Sequence, residues 1–367
     1  MAKIVIVGCG VVGAAIAYEL SSIEGLDITV VDRSSPASGS TGAALGVLMG
    51  IISHKKKGRA WRFREISLQR YESLIPELIE QTGISIPVNK QGIFKLLFAG
   101  DNLEKWHKLK EFRQGKGWNL EIEDCDFVRQ QCPQIANEDL IGAVYSPQDR
   151  QIHPVKLTEV LVAAAKINGV KFEFGVTVSD FVTRQEDELI TCQQLVTNKG
   201  KIEAEKVIIS AGLGSTPLTQ SLAQTIPIRP VLGQAIEFQL NEPFGRKDFQ
   251  PVITANDLHI VPLGSRRYWL GATVEFPTEK GESIADEELL KQLMSTAISF
   301  CPLLKKAKII KTWSGKRPRP EGIAAPVIQT LANYSNILLA TAHYRNGVLL
   351  APATALEVVK IVADLQI

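Results

Sequence analysis

Residues 4–13 read IVIVGCGVVG, a short apolar run that passes directly into three glycines spaced as GxGxxG. A continuous apolar run of this length is typical of a parallel strand buried on both faces. From Val12 to Leu20 the apolar spacing becomes helical, and a second apolar run at 28–31 ends at Asp32. Strand, helix and strand in this order predict a βαβ unit at the start of the chain.

The glycines of this stretch have separate roles in a dinucleotide-binding unit. Gly8 permits the tight turn, Gly10 lets the backbone approach a pyrophosphate at the helix N-terminus, and Gly13 allows helix and strand to pack closely. Asp32 ends the second strand, where its carboxylate can accept hydrogen bonds from ribose hydroxyls. The alternative is a glycine turn beside an unrelated surface acid. The pattern predicts a dinucleotide site and does not separate NAD from FAD.

The composition limits the classes of protein to consider. A chain of 367 residues, 45% apolar and 22% charged, is long enough for two structural units. Its formal charge of +2 argues against nucleic acid as a partner. The five cysteines are scattered without CxxC spacing, which favours a reducing cytoplasm and no metal site. With no leader pattern and no long apolar run, we expect neither secretion nor a membrane span.

The end of the chain repeats the architecture of its beginning. An apolar run at 337–340 is followed by a glycine turn and a helix predicted from about residue 352 to 365. Strand-like segments typical of an antiparallel layer lie between, at 189–197, 201–203, 206–210, 231–240, 258–262 and 267–274. We therefore expect two interleaved units, one from residues 1–85, 145–228 and 320–367, the other from 86–144 and 229–319.

Three further segments carry a family resemblance. Residues 38–48 read SGSTGAALGVL, residues 208–215 read IISAGLGS, and residues 342–354 read AHYRNGVLLAPAT. With them, most of the chain resembles the D-amino-acid oxidase superfamily of FAD-dependent oxidoreductases, and within it the glycine oxidases of thiamine biosynthesis. Sarcosine oxidases and D-amino-acid dehydrogenases are related. Taken alone, 208–215 is more typical of a buried strand with an ordinary glycine turn.

The resemblance implies both a fold and a set of cofactor contacts. The fold is a mixed α/β one, in which a Rossmann-like FAD-binding domain of three layers is interleaved with an antiparallel-sheet substrate domain. The larger unit above would bind FAD, and the smaller one the substrate. The implied FAD-binding residues are Gly8, Gly10, Val12, Gly13, Asp32, Arg33, Ser40, Thr41, Ala43, Ala44, Gly46, Leu48, Val178, Ala211, Gly212, Arg345, Asn346, Gly347, Val348 and Leu349.

The C-terminal segment also has a physical interpretation of its own. A loop carrying Gly347 leads into a helix whose early Pro352 is expected to cost no hydrogen bond. Free N–H groups at such a helix start would stabilise charge on the flavin C2 carbonyl during reduction. The alternative is an ordinary loop before a core helix.

Two residues are candidates for holding a substrate. Residues 313–318 read WSGKRP, which resembles a family tract whose arginine binds the substrate carboxylate, and this places Arg317 in that role. A surface arginine paired with an acid is the alternative. His259 stands where glycine oxidase has a tyrosine that helps to hold the carboxylate, and the alternative is a structural histidine. Residues 320–326 also depart from the family, and the basic run 54–59 is a partner site or a solvated loop.

The resemblance implies FAD-dependent oxidative deamination of a small amine or amino acid, such as glycine, sarcosine or a D-amino acid. Hydride transfer to flavin N5 would give an imine, and no dedicated catalytic base is required. The alternatives are a nicotinamide dehydrogenase, a D-amino-acid dehydrogenase with an acceptor other than oxygen, and a non-catalytic flavoprotein subunit. The sequence leaves open the amine, the electron acceptor (oxygen or a quinone) and whether a homo-oligomer forms.

Overall fold

The computed structural model describes residues 1–242, 244–279 and 281–364. The helices are α1 (Val11–Leu20), α2 (Gly58–Thr82), α3 (Leu103–Gln114), α4 (Cys125–Gln131), α5 (Pro154–Ile167), α6 (Ser215–Ser221), α7 (Glu287–Phe300) and α8 (Gly347–Asp364). Short 3₁₀ turns span Gly212–Gly214, Pro302–Lys306 and Tyr344–Asn346.

The first ten strands are β1 (Ala2–Val7), β2 (Leu26–Asp32), β3 (Val47–Leu48), β4 (Val88–Asn89), β5 (Ile93–Phe98), β6 (Glu121–Glu123), β7 (Leu140–Ser146), β8 (Arg150–Ile152), β9 (Lys171–Phe174) and β10 (Val178–Glu186). The remaining strands are β11 (Leu189–Thr197), β12 (Gly200–Glu203), β13 (Lys206–Ile209), β14 (Ile228–Gln239), β15 (Val252–Ala255), β16 (Leu258–Gly264), β17 (Arg267–Gly271), β18 (Lys308–Pro320), β19 (Val327–Thr330) and β20 (Ile337–Thr341).

A six-stranded sheet of order β19-β20-β13-β1-β2-β9 forms the middle of a three-layer arrangement. Its strands are parallel except for β19. Successive side chains of a strand point to opposite faces. Accordingly Ile4 and Ile6 pack with α1, α5 and α8, whereas Val5 and Val7 pack with the small sheet β10-β11-β12. The predicted βαβ start and the three layers are confirmed.

An eight-stranded, mostly antiparallel sheet of order β18-β14-β17-β16-β15-β5-β7-β6 forms the second unit. Its strands come from two separate parts of the chain, and α4 and α7 contribute to its core. The predicted antiparallel layer is therefore present. The elements that the apolar pattern did not predict include β10 and β18, because the sequences of these two strands are largely polar.

Helix α8 begins earlier than the sequence predicted. It starts at Gly347 rather than near Pro352, so the proline lies inside the helix and its missing N–H leaves the carbonyl of Val348 without the usual donor. The Tyr71 hydroxyl of α2 donates to that oxygen at 2.5 Å. Packing between α2 and α8 thus compensates for the proline. The predicted end of the helix, residue 365, lies outside the described residues.

The segment 344–363 is the one helical stretch within the described ranges that is long and apolar enough to cross a membrane, and 56% of its most apolar window is buried. It packs against α1 and α2 and contributes Val348, Leu349 and Leu350 to the main core. These contacts are those of a core helix, so its apolar composition does not indicate a membrane span.

A fully buried carboxylate fixes the loop that follows β3. Asp149 accepts the N–H groups of Gly50, Ile51 and Ile52 at 2.8–2.9 Å, and the Ser146 hydroxyl at 2.9 Å. Burial raises the pKa of Asp149, while these four donors favour its charged form. One side chain therefore satisfies three consecutive backbone donors.

We predict that Asp149→Ala destabilises the fold by roughly 3–5 kcal/mol, because it leaves three buried N–H groups without an acceptor. Urea unfolding at pH 7 measures this change in free energy. Asp139→Ala, at an exposed position, is the matched control and should change stability by less than about 0.5 kcal/mol. Equal effects of the two substitutions would contradict the assignment.

Candidate active site

The carboxyl ends of four parallel strands meet at one edge of the six-stranded sheet. Val7 of β1 lies beside Val31 of β2 and Ile209 of β13, and Ile209 lies beside Leu339 of β20. The loops that follow these strands are therefore neighbours. This edge is where parallel α/β sheets bind ligands. It brings the glycine turn, Asp32, the turn at 210–212 and the loop 342–347 together.

Two of the three glycines of the first loop, Gly8 and Gly13, are required by close contacts. A Cβ on Gly8, whose φ is +108°, would come within 2.6 Å of the Ser210 carbonyl oxygen, and one on Gly13 within 2.0 Å of the Gly8 oxygen. Near Gly10, by contrast, the neighbour is the Thr41 hydroxyl at 3.2 Å, which also accepts the Val11 N–H. Gly10 caps α1 with no side-chain hydrogen bond, and the N–H groups of half-buried Val12 and of Gly13 have no acceptor within the helix.

The Asp32 carboxylate accepts hydrogen bonds from this turn and has further acceptor positions free. One oxygen accepts the Cys9 N–H at 2.7 Å and the other the Ser34 N–H at 2.8 Å, and the residue is half-buried. A carboxylate has about four acceptor positions, so two remain for hydroxyl groups. Val178 opens β10 nearby, since Val176 donates to the Asp32 carbonyl at 3.0 Å. Arg33 is exposed.

The small-residue segment 40–48 lies flush against β18 of the other sheet. A Cβ on Gly315 would come within 2.2 Å of the Ala43 Cβ, and Trp313 Nε1 donates to the Ala43 carbonyl at 3.1 Å. The Ser40 hydroxyl donates to the Lys316 carbonyl at 2.6 Å. Ala44 is half-buried, and Gly46 and Leu48 are buried. The segment predicted to contact the cofactor is thereby joined to the strand that carries Arg317.

The loop between β20 and α8 carries backbone strain. Ala342 and Tyr344 have φ values of 56° and 53°, a region that costs a non-glycine residue roughly 1–3 kcal/mol. Gly347, Val348 and Leu349 supply the first N–H groups of α8, which have no acceptor within the helix. The Tyr344–Asn346 turn, with Arg345 and Asn346, contacts β18, as does the turn at Gly212 that follows Ala211.

These residues fit FAD in their chemistry. The uncapped start of α1 offers N–H donors to a pyrophosphate, Asp32 offers acceptors to ribose hydroxyls, and the start of α8 offers donors to an electron-rich carbonyl. Ser210 Oγ, beside Gly8, is buried without a hydrogen-bond partner. The individual cofactor contacts stay predictions.

Arg317 is half-buried and held by backbone oxygens rather than by a surface acid. Its Nη1 donates to the Leu232 carbonyl and its Nη2 to the Thr273 carbonyl, both at 3.1 Å. The guanidinium lies on Gly233, where a Cβ would come within 2.3 Å of both nitrogens. Burial, and then the nearby charge of Arg345, lower the pKa of Arg317, although an arginine stays protonated in proteins.

His259 lies close to Arg317 and faces a mixed set of charges. Its Nδ1 is 3.0 Å from the Thr254 hydroxyl. Desolvation lowers the pKa of His259 to about 4, and Lys95, Arg345 and Arg317 act in the same direction while Asp257 opposes them. His259 is half-buried.

The structure thus brings Arg317, His259 and Arg345 to one place. Sequence reasoning missed Lys95, Thr254 and Asp257, which come from other strands or turns of the same sheet. Asp257 is 3.7 Å from Arg345. None of the three lies in a motif, so no local signal could have identified them. Residues 54–57 of the basic run lie in the loop before α2 and residues 58–59 in its first turn, and all of them are exposed or half-buried.

Comparison with known proteins agrees with this geometry. The family model described as "FAD dependent oxidoreductase" matches residues 3–361. The bifunctional protein ThiO/ThiG of Trichormus variabilis is 31% identical over 96% of this chain, which spans about half (51%) of that relative's length. The glycine oxidase of Bacillus subtilis is 27% identical over 95% of this chain and 90% of its own. A crystal structure of glycine oxidase from Bacillus cereus superposes with a TM-score of 0.86 at 26% identity, covering 99% of this chain and 95% of that one.

We predict that Gly10→Val yields colourless protein, because a branched side chain would occupy the space in front of α1. Absorbance of the purified protein near the flavin bands measures bound FAD. Gly115→Ala, at a helix end with room for a Cβ, is the control and should retain the yellow colour. Stoichiometric FAD in Gly10→Val would show that the pyrophosphate lies elsewhere.

The histidine that precedes the strained turn gives a second prediction. His343 is 4% exposed, its Nε2 lies 2.8 Å from the Thr354 hydroxyl, and desolvation lowers its pKa to about 3. Between pH 6.5 and 3 the unfolded chain therefore binds the extra proton. The stability contributed by neutral His343 is present above pH 6.5 and is lost as the pH falls toward 3, by up to about 1.4 kcal/mol per pH unit.

Urea unfolding from pH 7 to pH 5 measures this slope. His343→Gln should flatten it, whereas His107→Gln, at an exposed helix position, should leave it unchanged. An identical slope in the parent protein and His343→Gln would show that the buried histidine does not control it.

Proposed function

This chain belongs to the family of FAD-dependent oxidoreductases, and we propose that it carries out FAD-dependent oxidative deamination of a small amine or amino acid of the glycine, sarcosine or D-amino-acid class. The observation that carries the proposal is Arg317, a half-buried guanidinium beside the segment predicted to contact the cofactor. Such a group is suited to a carboxylate. The names of the relatives, glycine oxidase and ThiO/ThiG, support the same substrate class.

Arg317 would hold the carboxylate of the substrate. Two of its five N–H groups donate to the carbonyls of Leu232 and Thr273, so three remain for a ligand. The two carbonyl bonds and the contact with Gly233 fix the plane of the guanidinium before substrate arrives. A fixed plane lets two parallel bonds form to a carboxylate, which orients the α-carbon and lowers the entropy cost of the reaction.

His259 would assist as a neutral donor. With a pKa of about 4 it carries no charge at neutral pH. In the tautomer in which the Thr254 hydroxyl donates to Nδ1, the proton is on Nε2, which can donate to a carboxylate oxygen. This is the contribution made in glycine oxidase by a tyrosine hydroxyl at the corresponding position. The proposal therefore assigns His259 the role of that tyrosine.

FAD supplies the hydride acceptor for this chemistry when it is bound. The protein's part is to bind the neutral amine, to orient it and to exclude water, so that no dedicated base is needed. We propose residues 1–85, 145–228 and 320–367 as the FAD-binding domain, and 86–144 and 229–319 as the substrate-binding domain. A role in thiamine biosynthesis, a cytoplasmic location, oxygen as the electron acceptor and a homo-oligomeric state complete the proposal.

Two alternatives make different predictions for the same assay. A D-amino-acid dehydrogenase would have its flavin bleached by amino acids without oxygen but would reoxidise slowly in air and rapidly with a quinone. A non-catalytic subunit would show no bleaching by any amine. Anaerobic absorbance with glycine, sarcosine, proline and D-amino acids, followed by admission of air, separates all three.

We predict that Arg317→Leu keeps the flavin spectrum but slows reduction at subsaturating amino acid by roughly 100-fold or more, as expected when a desolvated charge pair is removed. Arg317→Lys should restore only part of the rate, because an ammonium cannot form the planar pair of bonds. Stopped-flow bleaching at several substrate concentrations measures both.

Arg319→Leu is the matched control, since it removes the same charge two residues away on the same strand, where the side chain is exposed. The flavin of Arg319→Leu should be reduced by the amino acid as fast as that of the parent protein. Unchanged reduction of Arg317→Leu would place the carboxylate site elsewhere, and an equal loss with amines lacking a carboxylate would indicate a general structural effect.

A further inference from the structure

A buried carboxylate, Glu275, stands behind the two carbonyl groups that hold Arg317. The chain after β17 continues alongside β14, and Glu275 and Leu232 exchange both backbone hydrogen bonds at 2.9 Å. The Leu232 oxygen therefore accepts from both Glu275 N–H and Arg317 Nη1. One of the two anchors of Arg317 is thus built on the backbone of Glu275 itself.

The other anchor is tied to the side chain of Glu275. The Thr273 hydroxyl donates to Glu275 Oε1, and the same hydroxyl accepts the Gln234 N–H at 2.7 Å. Gln234 Nε2 donates to Glu275 Oε1 at 3.0 Å, and the Asp286 N–H donates to Oε2 at 2.8 Å. Thr273, whose carbonyl accepts from Arg317, is therefore fixed on both its hydroxyl and its backbone.

The charge and burial of Glu275 match this arrangement. Glu275 is 7% exposed, and Gln234 and Thr273 are similarly buried. The partners of its carboxylate oxygens are neutral donors, while its negative charge lies close enough to Arg317 to favour the charged guanidinium, against the effects of burial and of Arg345. A buried carboxylate without a contacting cation costs folding free energy. A role limited to filling space would therefore be a poor explanation for Glu275.

We propose that Glu275 is a positioning residue for substrate binding, which acts through Thr273 and Leu232 to hold the Arg317 guanidinium in the plane that receives a carboxylate. The inference rests on the proposed function, because it assigns Arg317 to substrate. It gives Glu275 a role that is exerted through Thr273 and Leu232 rather than by contact with substrate or cofactor. Its signature is a loss of affinity for carboxylates with a much smaller change in kcat.

The test compares Glu275→Gln with the parent holoenzyme. Acetate, a carboxylate that cannot be dehydrogenated, is titrated while the flavin absorption is followed, and KM and kcat are measured for the best amino acid and for an amine lacking a carboxylate. We expect the dissociation constant of acetate and the KM for the amino acid each to rise by about tenfold or more, as for loss of hydrogen bonds to a charged group. The carboxylate-free amine should be unaffected.

Two further variants complete the design. Thr273→Val removes the hydroxyl without altering charge and should shift the acetate affinity in the same direction, so it decides the matter if Glu275→Gln fails to fold. Glu282→Gln removes the same charge from an exposed position in the following loop and should behave as the parent. An equal effect of Glu282→Gln would attribute the change to long-range charge and overturn the inference.

The outcomes also separate this inference from the proposed function. If Glu275→Gln and Thr273→Val bind acetate as the parent does, Glu275 is not a positioning residue, whichever amine is oxidised. If carboxylated and carboxylate-free amines lose affinity equally, the role is structural and the inference fails. If no carboxylated amine reduces the parent's flavin, the proposed function fails, while weakened acetate binding in the variants would still support the positioning role.

Discussion

The parallel register of β1, β2, β13 and β20 is the constraint on which the rest of the site depends. Because the four strands end at the same level, loops separated by up to about 300 residues of chain emerge side by side. The alternation of side chains along β1 secures this register from both faces, since one set of residues packs with helices and the other with the small sheet. A shift of one residue would turn both sets toward the wrong layer.

The second determinant is the contact between small residues of the segment 40–48 and of β18. Ala43 rests against Gly315 with no room for another methyl group, and Trp313 and Ser40 add hydrogen bonds across the same seam. A seam this close leaves little freedom for β18 to move relative to the segment 40–48. The position of Arg317 is therefore set by packing that begins in the other unit of the chain.

Sequence reasoning found the parts of the protein whose signals are local. Gly8, Gly13 and the apolar runs are each required by their own backbone conformation or burial. Strand β18 was not predicted, because an edge strand rich in lysine, arginine and proline has no apolar pattern. Thr254 and Lys95 were not identified for a different reason: their importance comes from neighbours that the fold supplies and the sequence does not place nearby.

The low pKa of His259 has a consequence for how the protein would respond to its surroundings. An imidazole ring with a pKa of about 4 is uncharged through the whole physiological range, and the arginines around it stay charged there. The charge that His259 and these arginines contribute to the proposed carboxylate site is therefore constant between about pH 5 and 9. Under the proposed function, a change of rate within that interval would come from groups other than these, such as the amine of the substrate.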